Sequence, residues 1–274
     1  MMKIRYLGTA AYEGIPSLFC QCDLCKKARK LKGRNLRSRS QALINDDLLI
    51  DFPPDTCAHY LQYDFDWMKI QNCLITHSHS DHFYVEDMEQ ARIDFSHNYT
   101  VRLHYYADRA SYKLMQKRFS KWYMQPVSEA HLIELGKVFQ VGEYEVMAVR
   151  ADHGRSTSPV VYAISDGVKR MLYCNDTGFL SDKSLRQLQK FGKFDLVSLD
   201  CTGGLEKGWV HNHMCLETNI QFVKRLKELG LADNQTICVS NHFSHNGKST
   251  YEELVQKATP NGFIISYDGM EIEF

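Results

Sequence analysis

Three imidazoles and a carboxylate fall within His77 to His82 of the segment Thr76-His77-Ser78-His79-Ser80-Asp81-His82, directly after the apolar, strand-like run Cys73-Leu74-Ile75-Thr76. Such a cluster is costly to bury uncompensated, so it predicts a metal site on a loop where a strand ends. While the chain is extended, side chains two apart share a side, and His77 and His79 can converge on one ion. Asp81 and His82 are adjacent and need a turn to do the same. A turn there, running into a helix from Phe83 to Phe95, would swing them onto a second ion. The spacing therefore predicts two metals. Imidazole suits zinc, iron or manganese, and a mixed histidine and carboxylate set is typical of catalytic sites that keep a position open for water.

Four ligands are too few for two ions, so other strand ends must supply more. His153 lies just past the alternating run Tyr144 to Val149, Asp176 follows Arg170-Met171-Leu172-Tyr173-Cys174-Asn175, and His242 follows Thr236-Ile237-Cys238-Val239-Ser240-Asn241. Each stands where a β-run stops and a turn begins, the place where a rigid scaffold presents chemistry. Taken singly, each would pass for a polar loop or turn residue.

In this order the residues resemble the metallo-β-lactamase superfamily, with its H-x-H-x-D-H loop, later histidine, bridging aspartate and final histidine. The resemblance implies that His77, His79 and His153 hold one divalent ion, that Asp81, His82 and His242 hold the other, and that Asp176 bridges them. Tyr6-Leu7-Gly8-Thr9-Ala10 is similar to the family's opening strand and turn. Leu48-Leu49-Ile50-Asp51 is similar to the strand whose aspartate orients a ligand imidazole, which gives Asp51 that role. Members of this superfamily hydrolyse lactams, lactones, thioesters and phosphodiesters.

Cys20-Gln21-Cys22-Asp23-Leu24-Cys25 narrows the choice. Three thiols at spacings of two and three can wrap one structural zinc, leaving one tetrahedral position, for which His245 in Asn241-His242-Phe243-Ser244-His245 is the candidate. Cys-x-Cys-x-x-Cys, the complete two-metal loop and the late His-x-x-His together look like the phosphoribosyl cyclic phosphodiesterase family of the carbon-phosphorus lyase pathway. A coenzyme-synthesis family shares the cysteines but has an altered metal loop. The resemblance also implies that His213, in His211-Asn212-His213-Met214, protonates the leaving oxygen; Asp81 is counted with it among the catalytic residues. The ending Tyr267-Asp268-Gly269-Met270-Glu271-Ile272 is similar to that family's C-terminal strand.

With 274 residues, 44% of them hydrophobic, the chain can bury one substantial core, and residues 1–274 read as one domain. A formal net charge of zero argues against a general polyanion binder. No apolar run approaches a membrane span, Met1-Met2-Lys3-Ile4-Arg5 enters a strand, and nine cysteines fit reduced thiols and zinc, so a cytoplasmic setting is expected. Cys73, Cys174 and Cys238 sit in strand-like runs as core residues. Strands fall into two groups, one from Ile4 through Tyr106 and one from Phe139 to the C-terminus. Helices are expected at Asp108 to Met124, Ser181 to Phe191 and Leu216 to Leu229. This order suits an αββα sandwich of two mixed sheets flanked by helices, with the site at one edge.

Basic residues from Lys26 to Arg39, and others interleaved with aromatics between Asp108 and Met124, could grip RNA, although a solvated face is commoner and no long arm-like insertion is present. The expected activity is hydrolysis of a small, cyclic phosphodiester. Two active-site ions, zinc or manganese, lower the pKa of a shared water, and the hydroxide attacks phosphorus while His213 serves as the acid. Competing readings are a lactonase or thioesterase, a tRNA-processing-like nuclease, and a non-catalytic zinc-stabilised binding protein. The expected partner is a small phosphorylated substrate, with no membrane and with a homodimer compatible.

Overall fold

The computed structural model describes residues 1–154 and 157–274. Among the described residues, fourteen strands form two seven-stranded mixed sheets. The first contains β1 (Lys3–Gly8), β2 (Gln41–Ile44), β3 (Leu48–Ile50), β4 (Asn72–Ile75), β5 (Leu103–Ala107), β6 (Ser128–Leu132) and β14 (Met270–Glu273), in the order β14-β1-β2-β3-β4-β5-β6. The second contains β7 (Val138–Val141), β8 (Tyr144–Arg150), β9 (Val160–Ser165), β10 (Arg170–Cys174), β11 (Leu196–Asp200), β12 (Ile237–Asn241) and β13 (Phe263–Ile265), in the order β13-β12-β11-β10-β9-β8-β7. Strands β3 to β6 run parallel to one another, as do β10 to β13.

The side-chain alternation of strands distributes three cores. Between the sheets lie Ile4, Tyr6, Ile50, Leu74, Tyr162, Ile164 and Tyr173. On the outer face of the first sheet, Cys73, Ile75 and Tyr105 meet Met115 and Phe119 of α3 (Arg109–Phe119). On the outer face of the second, Val161, Ala163, Val197 and Leu199 meet Leu185 and Leu188 of α4 (Asp182–Gln189), Phe222 and Leu226 of α5 (Leu216–Glu228), and Leu254 of α6 (Tyr251–Ala258). Strand β9, Val-Val-Tyr-Ala-Ile-Ser, is buried throughout, which explains why it reads as a continuous apolar run. Helices α3 and α6 start on side-chain caps. Asp108 accepts from Ser111 N at 2.8 Å, and Thr250 with Glu253 forms a capping box.

Three sequence expectations are corrected. The chain after the metal loop is not a helix from Phe83 to Phe95 but a bridge and turns, with a short 3-10 helix at Asp87–Ala91. Phe52 N donates to His82 O and Tyr84 N to Phe52 O, both at 2.8 Å, so backbone groups that would begin a helix are paired across to Phe52. The last strand leaves the second group: β14 pairs antiparallel with β1, Lys3 opposite Glu273, which places Met270 and Ile272 against the core between the sheets. The amphipathic helix expected to Met124 ends at Phe119, because the chain turns there to set Tyr123 beneath the Arg92 guanidinium, 3.9 Å from the ring centroid.

Candidate active site

The loop Thr76 to His82 leaves the end of β4 and is held from below by Asp51. This residue, just past β3, has a φ of +66° and a fully buried carboxylate. Its Oδ1 accepts from Thr76 N at 2.8 Å and Thr76 Oγ1 at 2.9 Å, and its Oδ2 lies 2.7 Å from His82 Nδ1. A proton on Nδ1 of His82 leaves Nε2 with its lone pair directed into the site. Asp176 (φ +53°) and His242 (φ +61°) also occupy the left-handed region, which costs a non-glycine residue of order 1 kcal/mol or more and is characteristic of functional positions.

The four strand ends bring two donor groups together. In the first, His77 Nε2 stands 2.8 Å from His79 Nδ1, and His153 Nε2 stands 3.2 Å from the same atom. In the second, His82 Nε2 stands 3.3 Å from both Asp81 Oδ2 and His242 Nε2. Asp176 Oδ2 belongs to both, lying 3.1 Å from His77 Nε2 and 3.2 Å from His82 Nε2. Donors bound to one zinc at about 2.1 Å in a tetrahedron stand roughly 3.4 Å apart, close to these separations. Asp176 Oδ1 is a buried oxygen without a directed hydrogen bond among the described residues. Convergent ring nitrogens and this orphaned oxygen fit divalent ions.

The electrostatics point the same way. Burial pushes His153 down to about 4 against the pull of Asp176, so its imidazole is neutral and able to ligate. Burial opposes ionisation of Asp81, but His82 outweighs it and lowers the pKa to about 2. Asp176 is likewise held well below the carboxylate range, burial being overcome by His242, His77 and His82. His82, also buried, is raised by Asp81 and Asp51. An ion at this imidazole would have to displace a proton.

His213 stands beside the second donor group, on the segment between β11 and α5. Its Nδ1 lies 3.0 Å from Asp200 Oδ2 and 3.2 Å from Asp176 Oδ1, leaving Nε2 as the nitrogen able to donate into the cavity. Burial disfavours its charge, but Asp200, seconded by Asp176, outweighs burial and lifts its pKa to about 9. Asp200, at the end of β11, was not singled out in the sequence. It is fully buried, accepts from Thr202 N and Met214 N at 2.9 Å, and lies 3.4 Å from His242 Nδ1. Its signal was available: Leu196-Val197-Ser198-Leu199-Asp200 is one more apolar run ending in a carboxylate. His211 is exposed, and its Nδ1 lies 3.1 Å from Asp152 Oδ2.

The cavity over these groups measures about 520 Å³. Tyr12, Glu13, Trp209, Ser244 and Asn246 line it together with His79, Asp81, His153, Asp176, His213 and His242. Trp209 lies close over Gly203, where a Cβ would come 2.6 Å from the indole, so glycine there sets the position of the aromatic wall.

Cys20, Cys22, Cys25 and His245 converge, each offering a donor atom within 4.8 Å of the others. Cys20 Sγ and Cys22 Sγ lie 3.2 and 3.6 Å from His245 Nδ1. Burial raises the Cys22 thiol, but the Cys25 backbone N–H and His245 outweigh it and bring the pKa to about 6, while burial lifts Cys25 to about 12. The three sulfurs and one nitrogen are a donor set suited to zinc. His245 Nε2 lies 3.4 Å from Glu13 Oε1, so the cluster borders the cavity.

Part of the basic segments is committed to structure. Arg37 is buried, bonding Thr9 and Ser266; Arg39 pairs with Asp55; Arg118 and Lys121 pair with Glu89.

An αββα sandwich that gathers five histidines and two aspartates at one edge defines a class before any relative is considered. Residues 48–233 match the model of the beta-lactamase superfamily domain, and the chain belongs to that family, a class of metal-dependent hydrolases. The chain is 26% identical over 152 residues to a ribonuclease Z of Thermococcus onnurineus, covering 52% of this chain and 48% of that protein. It is 25% identical over 282 residues to an octanoyltransferase of Porphyromonas gingivalis, covering 98% of this chain and 51% of that protein. The chain thus spans about half the length of these curated relatives. A crystal structure of a diphosphatase from the PhnP family superposes with a TM-score of 0.75 at 21% identity, covering 100% of this chain and 98% of that one, which shows a shared fold.

Proposed function

We propose that this chain is a dinuclear metal-dependent phosphodiesterase acting on a small, cyclic phosphodiester. His77, His79 and His153 would hold one ion and Asp81, His82 and His242 the other, with Asp176 shared. When bound, the ions supply Lewis acidity and an activated water. The observation that carries the reading is His213. Its Nδ1 is fixed by Asp200 beside the shared aspartate, so Nε2 can deliver a proton to a departing alkoxide in the cavity. Asp51 and Thr202 hold His82 and His242 through their Nδ1 atoms, at 2.7 and 2.9 Å, and keep the opposite nitrogens on the donor groups. Tyr12 and Trp209 offer aromatic walls to the rest of the substrate. No lysine or arginine is among the described lining residues, which leaves phosphate charge to the ions.

We further infer that Cys20, Cys22, Cys25 and His245 hold a structural zinc, and that residues 1–274 act as one domain. The names of the ribonuclease Z relatives favour a second reading, an RNA-processing nuclease. The engagement of Arg39, Arg118 and Lys121 in ion pairs weighs against it. A turnover panel of cyclic phosphates, bis(p-nitrophenyl) phosphate, precursor RNA, lactones and thioesters, run on metal-analysed protein, tests the assignment. Hydrolysis of the small diesters supports it. Turnover of lactones or thioesters alone, or of RNA alone, would replace it.

A further inference from the structure

A second group of imidazoles lies away from the active site, on the last two strands at one edge of the first sheet. In the parallel pairing of β5 with β6, His104 stands opposite Glu129 and Tyr106 opposite His131. Residues two apart on a strand share a face, so His104, Glu129 and His131 project from one side of the sheet. His104 Nδ1 lies 3.0 Å from His131 Nε2 and 3.7 Å from Glu129 Oε2, and the donor atoms of all three lie within 4.8 Å of one another. The side chains of His104 and Glu129 are 34% and 39% exposed, so an ion could enter from solvent.

The location is distinct from the site already described. His104 pairs with Asn72 at the start of β4, whereas the loop bearing His77 to His82 leaves the far end of that strand after Ile75. We propose that His104, Glu129 and His131 form a separate site for a zinc-class divalent ion that fastens the outer edge of the sandwich. Two imidazoles and one carboxylate with a position left for water are a zinc donor set, whereas calcium and magnesium take oxygen ligands.

What the ion would fasten follows from the packing. Strand β6 is an edge strand of the first sheet and β7 an edge strand of the second. The His131 ring stacks on Tyr106 with centroids 4.7 Å apart, and Tyr106 stacks on Phe139 of β7 at 5.9 Å. An ion holding His131 to His104 would therefore fix the stack that joins these two edge strands. Arg102, whose Nη1 lies 3.2 Å from Glu129 Oε2, competes for the carboxylate. That pair is half-exposed and gives way at little cost.

Equilibrium dialysis of the full chain against zinc, with the metal content of each variant measured, tests the site. The wild type should carry about one equivalent more than His131→Ala or His104→Ala, and Glu129→Gln should bind that ion more weakly while keeping the shape of the carboxylate. Arg102→Ala should retain the equivalent and release it more slowly. Zinc added beyond saturation of the tighter sites should raise the melting temperature of the wild type and not of His131→Ala, with phosphodiester turnover unchanged between them. Equal zinc content in the wild type and all three ligand variants would overturn the proposal, as would equal displacement of the extra equivalent by calcium or magnesium.

Discussion

At the scale of single residues, the paired assignment of His213 and Asp200 is the most exposed to test. If His213 Nε2 protonates the leaving oxygen, His213→Ala should cost roughly 10²–10⁴ in rate on an alkyl diester and leave metal content intact. The loss should shrink sharply on a p-nitrophenyl ester, whose leaving group is stable as an anion. Equal losses on both would assign His213 to substrate positioning. Asp200 adds a pH signature. Its charge raises the His213 pKa, and a general acid works only below its own pKa, so activity falls as pH rises through that value. In Asp200→Asn the raising charge is gone, and the alkaline fall in rate should move to lower pH; bound ions lower the absolute value in both proteins, so the direction of the difference is the readout. An unmoved alkaline limb would separate Asp200 from proton transfer.

At the scale of elements, the cysteine loop, helix α1 (Asp23–Leu31) and the turn after β12 meet at one donor set. Cys22→Ser should remove about one zinc per chain and reduce stability by several kcal/mol, because structural zinc binding is folding free energy. Activity should fall with it, since His245 is three residues from His242 on the same turn. Unchanged metal content and melting temperature would remove the structural zinc. His77, His153, Asp176 and His242 were legible in the sequence because each follows a strand-like run, and the cysteines because of their spacing. What was illegible depended on contacts between distant segments. The Phe52–Phe83 bridge replaced the helix expected after the metal loop, and β14 crossed to pair with β1, neither of which local pattern encodes. Asp200 also ends an apolar run, but its role follows from His213 and His242, which only the fold brings to it.

At the scale of the whole molecule, no helix is long and apolar enough to cross a membrane among the described residues, and both sheets converge on one cavity edge. Asp81 and Asp176 are buried carboxylates held ionised by neighbouring imidazoles, so filling the donor groups with cations should stabilise the native state over the unfolded chain. Chelation should therefore lower the melting temperature, and readdition of zinc or manganese should restore it; a melting temperature indifferent to chelator would argue against pre-formed ion sites. The most direct test of the central claim is a titration of metal-stripped protein, following hydrolysis of bis(p-nitrophenyl) phosphate against metal bound. Turnover should appear as both active-site donor groups fill, and Asp176→Ala should stay at least about a hundredfold slower at saturating metal. Full turnover with only one active-site ion bound, near-normal turnover in Asp176→Ala, or a fully loaded protein that leaves the diester intact would contradict it.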